Sequence, residues 1–360
     1  MIHLSRLKNF IIILCLSLLL SAAGCSKTQD LSPPGNNITC YAAAYNKGVY
    51  KSDNSGISWY PMISEQEDIS FYSKRLFLSP DAKSIYVATS GNGLFSIDMG
   101  KGILSTVNNF KDDDVRSIVF KEAPDGQAAG IEIYAAIKDT GINRKASGRD
   151  TWDPFNNGLT YRDVNVLFKG PGSIFAGTVN GVFKLDDASG IWKDSSEGMK
   201  NRNITAINSD PGGNPIYTGS GAYQSSKGRF ENIPCLYKSA DRGRTWAASD
   251  KGIPDGTLVF CIAVNPARPE RIYVGTNRGI YRSVDGGGKW SKTAEGLPDN
   301  FIGLDIKITG ISGGKELVYA AGVNGLYMTL DDKSQGWTSR SYGLDQTYIS
   351  SILLMTGTEN

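Results

Sequence analysis

From Ile38 onward the chain alternates short apolar runs with polar turns, and no stretch holds apolar residues at helical spacing. One unit recurs. RIYVGT, from Arg271, is followed by two polar residues, then by GIYRS from Gly279, then by a glycine-rich turn ending in Trp290. Related copies are SIFAGT-VN-GVFKL from Ser173, ELVYAAGVNGLYMT from Glu316, SIYVATSGNGLFSI from Ser84 and YAAAYNKGVYKS from Tyr41. A further apolar run, such as ITAINSDP from Ile204 or VFCIAVNP from Val259, belongs to each unit. Each run has strand length and is bounded by Gly, Asn, Asp or Pro, so the unit reads as four short strands joined by turns.

The six tryptophans, Trp59, Trp152, Trp192, Trp246, Trp290 and Trp337, fall on one ruler, with spacings of 93, 40, 54, 44 and 47. The first gap is two steps with a mark missing, and a period of about 46 residues points to a solenoid or a propeller. In five of the six, Gly and an apolar residue follow six positions later: Gly158-Leu159, Gly198-Met199, Gly252-Ile253, Gly296-Leu297 and Gly343-Leu344. Second-strand runs lie near Tyr41, Ile85, Ile133, Ile174, Ile216, Ile272 and Val318, and first-strand runs also number seven. The first-strand set is offset, running from near Phe71 to Tyr348–Met355. The prediction is an all-β, seven-bladed β-propeller over residues 38–357, closed by pairing Tyr348–Met355 with Tyr41–Tyr45. Such closure removes open sheet edges.

The polar turn before each Trp has its own pattern. Ser239-Ala-Asp241-Arg-Gly243-Arg-Thr245-Trp246 fits S-x-D-x-G-x-T-W at every specified position. Ser283, Asp285, Gly287 and Trp290 fit with Lys289 in place of Thr, and Ser52, Asn54, Gly56 and Trp59 fit with Asn and Ser replacements. Weaker copies surround Trp152, Trp192 and Trp337, and Ser96-Ile-Asp98-Met-Gly100 is a seventh without Trp. The acidic side chain can accept backbone N–H groups across the turn, Gly supplies positive φ, and Trp buries a large apolar surface. On these residues the chain resembles the Asp-box (BNR-repeat) propellers: sialidases, sortilin-type receptor domains, xyloglucanase-type glycosidases and photosystem-assembly propeller lipoproteins. The resemblance implies a structural brace on the outer rim, with ligands held on the opposite face around the channel.

Composition narrows the chemistry. The single histidine, His3, sits in a leader of basic start (Arg6, Lys8) and apolar run Phe10–Leu20, too short to cross a bilayer. The run ends in Leu20-Ser-Ala-Ala-Gly24-Cys25, which resembles a bacterial lipoprotein signal, with Ala22 where the family usually has Leu. That resemblance implies a signal peptide at residues 1–24, acylation of Cys25 and, with Ser26 following, the outer membrane. Residues 25–37 (CSKTQDLSPPGNN) read as a flexible tether. Without the leader the chain has no imidazole and a side-chain charge near zero rather than +2. Ser-His-Asp catalysis, His-ligated zinc and nucleic-acid binding are excluded on this reading. Cys40, Cys235 and Cys261 allow at most one disulfide and contain no CxxC; Cys40 and Cys261 read as buried strand residues.

Loops opposite the eight-residue turns carry the candidate ligand groups: Arg116, Tyr161, Arg162, Asp163, Arg202, Asp255, Asp299 and Asp345. Glu65, Glu67, Asp68, Asp112–Asp114, Asn203 and Asn300 lie in the same loop sets. One second-to-third-strand loop is enlarged, Gly219–Cys235, and offers Tyr223, Arg229, Phe230 and Glu231. A sialidase, by family resemblance, needs three convergent arginines and an early Arg-Ile-Pro; that tripeptide is absent, and no Tyr–Glu pair can be assigned to Arg116, Arg162 and Arg202. Asp163, Asp255, Asp299 and Asp345 form the pool for a glycosidase pair, which is defined by distance and not by sequence spacing. No cofactor or metal is expected. The expectation is a non-enzymatic, lipid-anchored scaffold that binds an envelope protein or an assembling complex. The alternative is a glycan-binding or glycoside-hydrolase-like propeller using carboxylates at the channel mouth.

Overall fold

The computed structural model describes residues 38–63, 72–107, 110–123, 130–222, 233–332, 336–344 and 348–356. The leader, Cys25 and the tether lie outside them. The described residues form strands and turns with no helix, in seven four-stranded antiparallel sheets. These are the seven blades of a β-propeller. Their inner strands are Ile349–Thr356, Ser73–Leu78, Val115–Glu122, Val164–Gly170, Ile204–Ser209, Val259–Val264 and Gly303–Ile311, for blades 1 to 7.

Closure follows the predicted route. Blade 1 takes its inner strand from the C-terminal end of the chain, and Ile38–Ala44 pairs with Ile349–Thr356 from Ile38↔Thr356 to Ala44↔Ile349. The second and third strands follow at Ile38–Ala44 and Gly48–Ser52, with Tyr60–Pro61 outermost. Because the first and last strands share one sheet, unravelling from either side requires breaking that sheet.

The core lies between blades, not within a single sheet. Second strands such as Ile272–Thr276 are buried at every position, since each is covered on both faces by neighbouring blades. Apolar clusters join successive pairs: Trp192 with Tyr134 and Phe183 across blades 3 and 4, Trp246 with Phe175 across 4 and 5, Trp290 with Tyr217 and Val274 across 5 and 6. Each such buried aliphatic or aromatic side chain stabilises the fold by about 1.5–3 kcal/mol relative to exposure.

The glycine six residues after Trp has a steric cause. Gly198 has φ +89°, and a Cβ there would lie 2.2 Å from the Trp246 carbonyl oxygen of the next blade; at Gly252 the same oxygen belongs to Trp290, at 2.3 Å. The approach lets the next blade's Trp N–H reach this loop, as in Trp246 N–H to the Glu197 carbonyl (2.9 Å) and Trp290 N–H to that of Lys251 (2.9 Å).

The eight-residue turns behave as braces joining third and fourth strands. Ser239 Oγ donates to Asp241 Oδ1 (2.7 Å) and accepts from Gly243 N–H (2.8 Å), while Asp241 also accepts from Thr245 N–H and Oγ1. Ser283, Asp285 and Gly287 repeat this, as do Ser52, Asn54 and Gly56. The Trp indoles then tie blade to blade. Trp246 Nε1 donates to Ser195 O, Trp290 Nε1 to Ser249 O and Trp59 Nε1 to Arg340 O, each beside the outer strand of the preceding blade. The Ser96–Gly100 copy differs: Asp98 accepts from Gly100 and Lys101 N–H in a shorter turn, and Ser96 sits within the third strand.

Candidate functional site

All seven inner strands start on one face and run down the channel, and all seven carry a β-bulge at the same place. The register skips Lys74, Arg116, Asn165, Thr205, Phe260, Leu304 and Ser350. A bulge frees one residue from the ladder and re-aims its side chain. Together these seven side chains ring the channel mouth. Repetition of the bulge was not legible in the sequence, because the seven residues share no side-chain type.

The ring lines a cavity of about 300 Å³ with Ser73, Arg75, Tyr45 and Tyr348. Below it the channel continues as a second cavity of about 470 Å³, lined by residues from every inner strand. Polar side chains stitch the inner edges, which have no further strand to pair with. Asn165 Nδ2 donates to Ile204 O (2.9 Å), Asn208 Nδ2 to Ile262 O (2.7 Å), and Ser350 Oγ to Ser73 O (2.7 Å). Asp305 accepts from Ser351 Oγ (2.8 Å) and Ile352 N–H (3.0 Å) on the next blade.

The charges at the mouth are mostly matched. Lys74 pairs with Asp114 at 2.6 Å, Arg116 with Asp163 at 2.5 Å, and Lys307 with Asp305 at 2.6 Å. Arg116 also donates to Asn165 Oδ1 at 2.6 Å. Arg75 is the exception: among the described residues its guanidinium forms no hydrogen bond and no ion pair, although it lines both cavities. Burial in the channel lowers its pKa from the ordinary arginine value, and the negative charge of Asp305 opposes that shift.

Aromatic rings stand beside this cation. Tyr45 lies between Tyr72 and Tyr348, with ring centroids 4.9 and 5.0 Å apart. The three remain about 40% exposed, at 42, 43 and 39%. Tyr161 and Tyr342, also exposed, lie in loops on the same face.

The predicted site residues are distributed over this face rather than gathered in one cavity. Arg116 lines the mouth. Asp163 and Arg202 line a separate cleft of about 640 Å³ with Lys200 and Asn203, and Arg202 pairs with Asp194 at 2.6 Å. Arg162, Asp255 and Asp299 are exposed in loops. The stems of the enlarged loop also lie on this face, following the strand Ile216–Ser220 and preceding Leu236–Ser239. Tyr223, Arg229, Phe230, Glu231, Asp345, Glu65, Glu67 and Asp68 lie outside the described residues.

Sequence reasoning overlooked Arg75, Tyr45 and Tyr72. Tyr45 and Tyr72 carried a signal in their place in the repeat, one following a second strand and one preceding an inner strand; Arg75, next to a bulge that only the structure reveals, carried none. Among the described residues Cys40, Cys235 and Cys261 are free, Cys40 and Cys235 buried and Cys261, expected to be buried, only partly so. Burial pushes all three thiols up to about 12, so none is a ready nucleophile near neutral pH. Among the described residues no cluster of His, Cys, Asp and Glu could hold a metal ion.

No family model matches the chain, and no curated protein matches it. Solved structures do. An ancestral GH74 enzyme matches with a TM-score of 0.63 at 16% identity, over 86% of this chain and 47% of that one. The extracellular domain of a B. thetaiotaomicron protein described as a one-component or hybrid two-component system matches at 0.57–0.58 and 12–13% identity, over 85% of this chain and 46% of that one. YCF48 from Cyanidioschyzon merolae matches at 0.52 and 11% identity, over 75% and 86%. The chain thus spans about half the length of the first two. At these identities the likeness is one of fold, and the class it defines is the β-propeller.

Proposed function

We propose that this propeller is a non-catalytic scaffold that holds a protein partner on the face where its inner strands begin. One observation carries the reading: the exposed, mutually stacked tyrosines Tyr45, Tyr72 and Tyr348 at the channel mouth. Tyrosine is enriched at protein interfaces, where it supplies contact area at little entropic cost. The lipoprotein-like leader ending at Cys25 supports a lipid-anchored location at the cell envelope, and an extracellular domain among the structural neighbours agrees with such a location. The pairing of Asp163 with Arg116 also favours a non-enzyme, since that carboxylate is held by a neighbouring blade.

Affinity capture from cross-linked envelopes tests this. Tyr45→Ala with Tyr348→Ala should lose the captured partner while the melting transition stays cooperative; unchanged capture defeats the reading. The glycan alternative draws support from the same tyrosines, which could also stack on sugar rings, and from the GH74 fold neighbour. Turnover on a polysaccharide panel, abolished by Asp163→Ala, Asp255→Ala, Asp299→Ala or Asp345→Ala, would replace the scaffold with that alternative.

A further inference from the structure

Among the described residues, the Arg75 guanidinium lies in the channel with no counter-ion in ion-pair or hydrogen-bond contact. The described carboxylates of the mouth are already committed. Asp305, whose charge is felt at Arg75, accepts from Lys307, Ser351 and Ile352. Asp114 is taken by Lys74, and Asp163 by Arg116. A half-buried, unpaired cation costs stability, and inner-strand neighbours such as Ser117, Val166 and Ala206 show that the position does not need a charge to close the ring. The group faces a cavity of about 300 Å³ whose other walls include Phe260, Leu304, Tyr45 and Tyr348. A planar fork of donors above apolar and aromatic walls suits a carboxylate carried on a small apolar stem.

We propose that the channel mouth is a carboxylate-binding site. Arg75 receives the two carboxylate oxygens, and Phe260, Leu304 and the rim tyrosines enclose the group that carries them. On the partner-binding reading above, on which this assignment of the donor rests, the carboxylate is an acidic side chain of the docked protein. A free organic acid has the same chemistry, and the test separates the two.

The experiment titrates the full chain with N-acetylglutamate α-methylamide, whose side-chain carboxylate is its only charge, with N-acetylglutamine α-methylamide as its uncharged counterpart, and with a ten-residue peptide capped at both ends and bearing one central Glu. Binding is followed by ligand-observed NMR. The acid should bind at least tenfold more tightly than the amide, and Arg75→Gln should bring the acid down to the amide's affinity. A peptide that binds more tightly than the free acid identifies a protein donor; equal or weaker peptide binding overturns that assignment in favour of a free acid. Equal affinity for acid and amide, no binding of either, or an acid affinity unchanged by Arg75→Gln overturns the site. Should Arg75→Gln not fold, Asp305→Asn reads the same electrostatics: removing the neighbouring negative charge should tighten acid binding several-fold, and no change again overturns the site. Partner capture that survives Arg75→Gln removes the protein donor and leaves the scaffold standing. Capture that fails with the unaltered chain removes the scaffold, and the acid titration alone then decides the site.

Discussion

The joint between blades 6 and 7 offers the sharpest test of how this ring is held together. Asp331 follows the third strand of blade 7 and is fully buried. Its acceptors serve blade 6 alone: Arg282 reaches Oδ1 (3.2 Å) and the main-chain oxygen (2.6 Å), and Arg271 reaches Oδ2 (3.2 Å). Tyr273 donates to Oδ1 and Asn265 to Oδ2, both at 2.7 Å. Replacing Asp331 with Ala leaves Arg282, whose side chain is only 6% exposed, without its carboxylate. Removing one partner of a buried ion pair costs about 3–5 kcal/mol. The surviving bond to the main-chain oxygen pulls that toward 3, and two stranded neutral donors add about 2 kcal/mol between them, giving about 5 kcal/mol. Over the roughly 290 described residues the unfolding entropy is about 0.6 kcal/mol per degree, so Tm should fall by about 8 °C in a calorimetric scan. Asp331→Asn should fall by about half as much. Exchanging Asp331 for Leu together with Arg271 and Arg282 for Met should recover most of the loss, because no charge is then left buried. A shift below about 2 °C for Asp331→Ala would refute the network as an inter-blade lock.

Two further predictions bear on closure and on the turns. Deleting residues 349–360 removes the inner strand of blade 1, so the shortened chain should melt earlier and less cooperatively; a calorimetric transition matching the full chain refutes the closure argument. Backbone N–H donation from Thr245, with its hydroxyl next, holds the Asp241 carboxyl down to about 2. A carboxyl lowered on folding stabilises the native state above its unfolded pKa and loses that contribution as pH falls through the folded one. Asp241→Asn should therefore flatten the Tm-against-pH curve between about pH 4 and 2; an unchanged acid limb counts against the brace.

Much of this architecture was legible because its signals are local. Strand alternation, turn glycines and the Trp ruler each act within a dozen residues, and seven repetitions made the count secure. The offset of the first-strand runs even exposed the closing strand. The eight-residue turns were read as scaffold, and their hydrogen bonds at Ser239, Asp241 and Gly243 stay within the turn. The site was less legible. Loop carboxylates such as Asp255 and Asp299 drew notice as chemistry-bearing types, yet they stand exposed and apart from the mouth cavity. Arg75 drew none, because an arginine inside a strand run gives no sign of which face it takes.

The sequence by itself determined the four-stranded unit, its sevenfold repetition and the splice of the two chain ends, since each follows from short-range periodicity and turn chemistry. Only the tertiary structure decided which charges meet. Arg116 finds Asp163 on the next blade, Asp331 gathers four donors from blade 6, and Arg75 is left facing the channel with Asp305 already engaged. These outcomes depend on closing the ring, which brings inner strands distant in the chain to a common axis, and on a bulge in every blade that turns one side chain toward it.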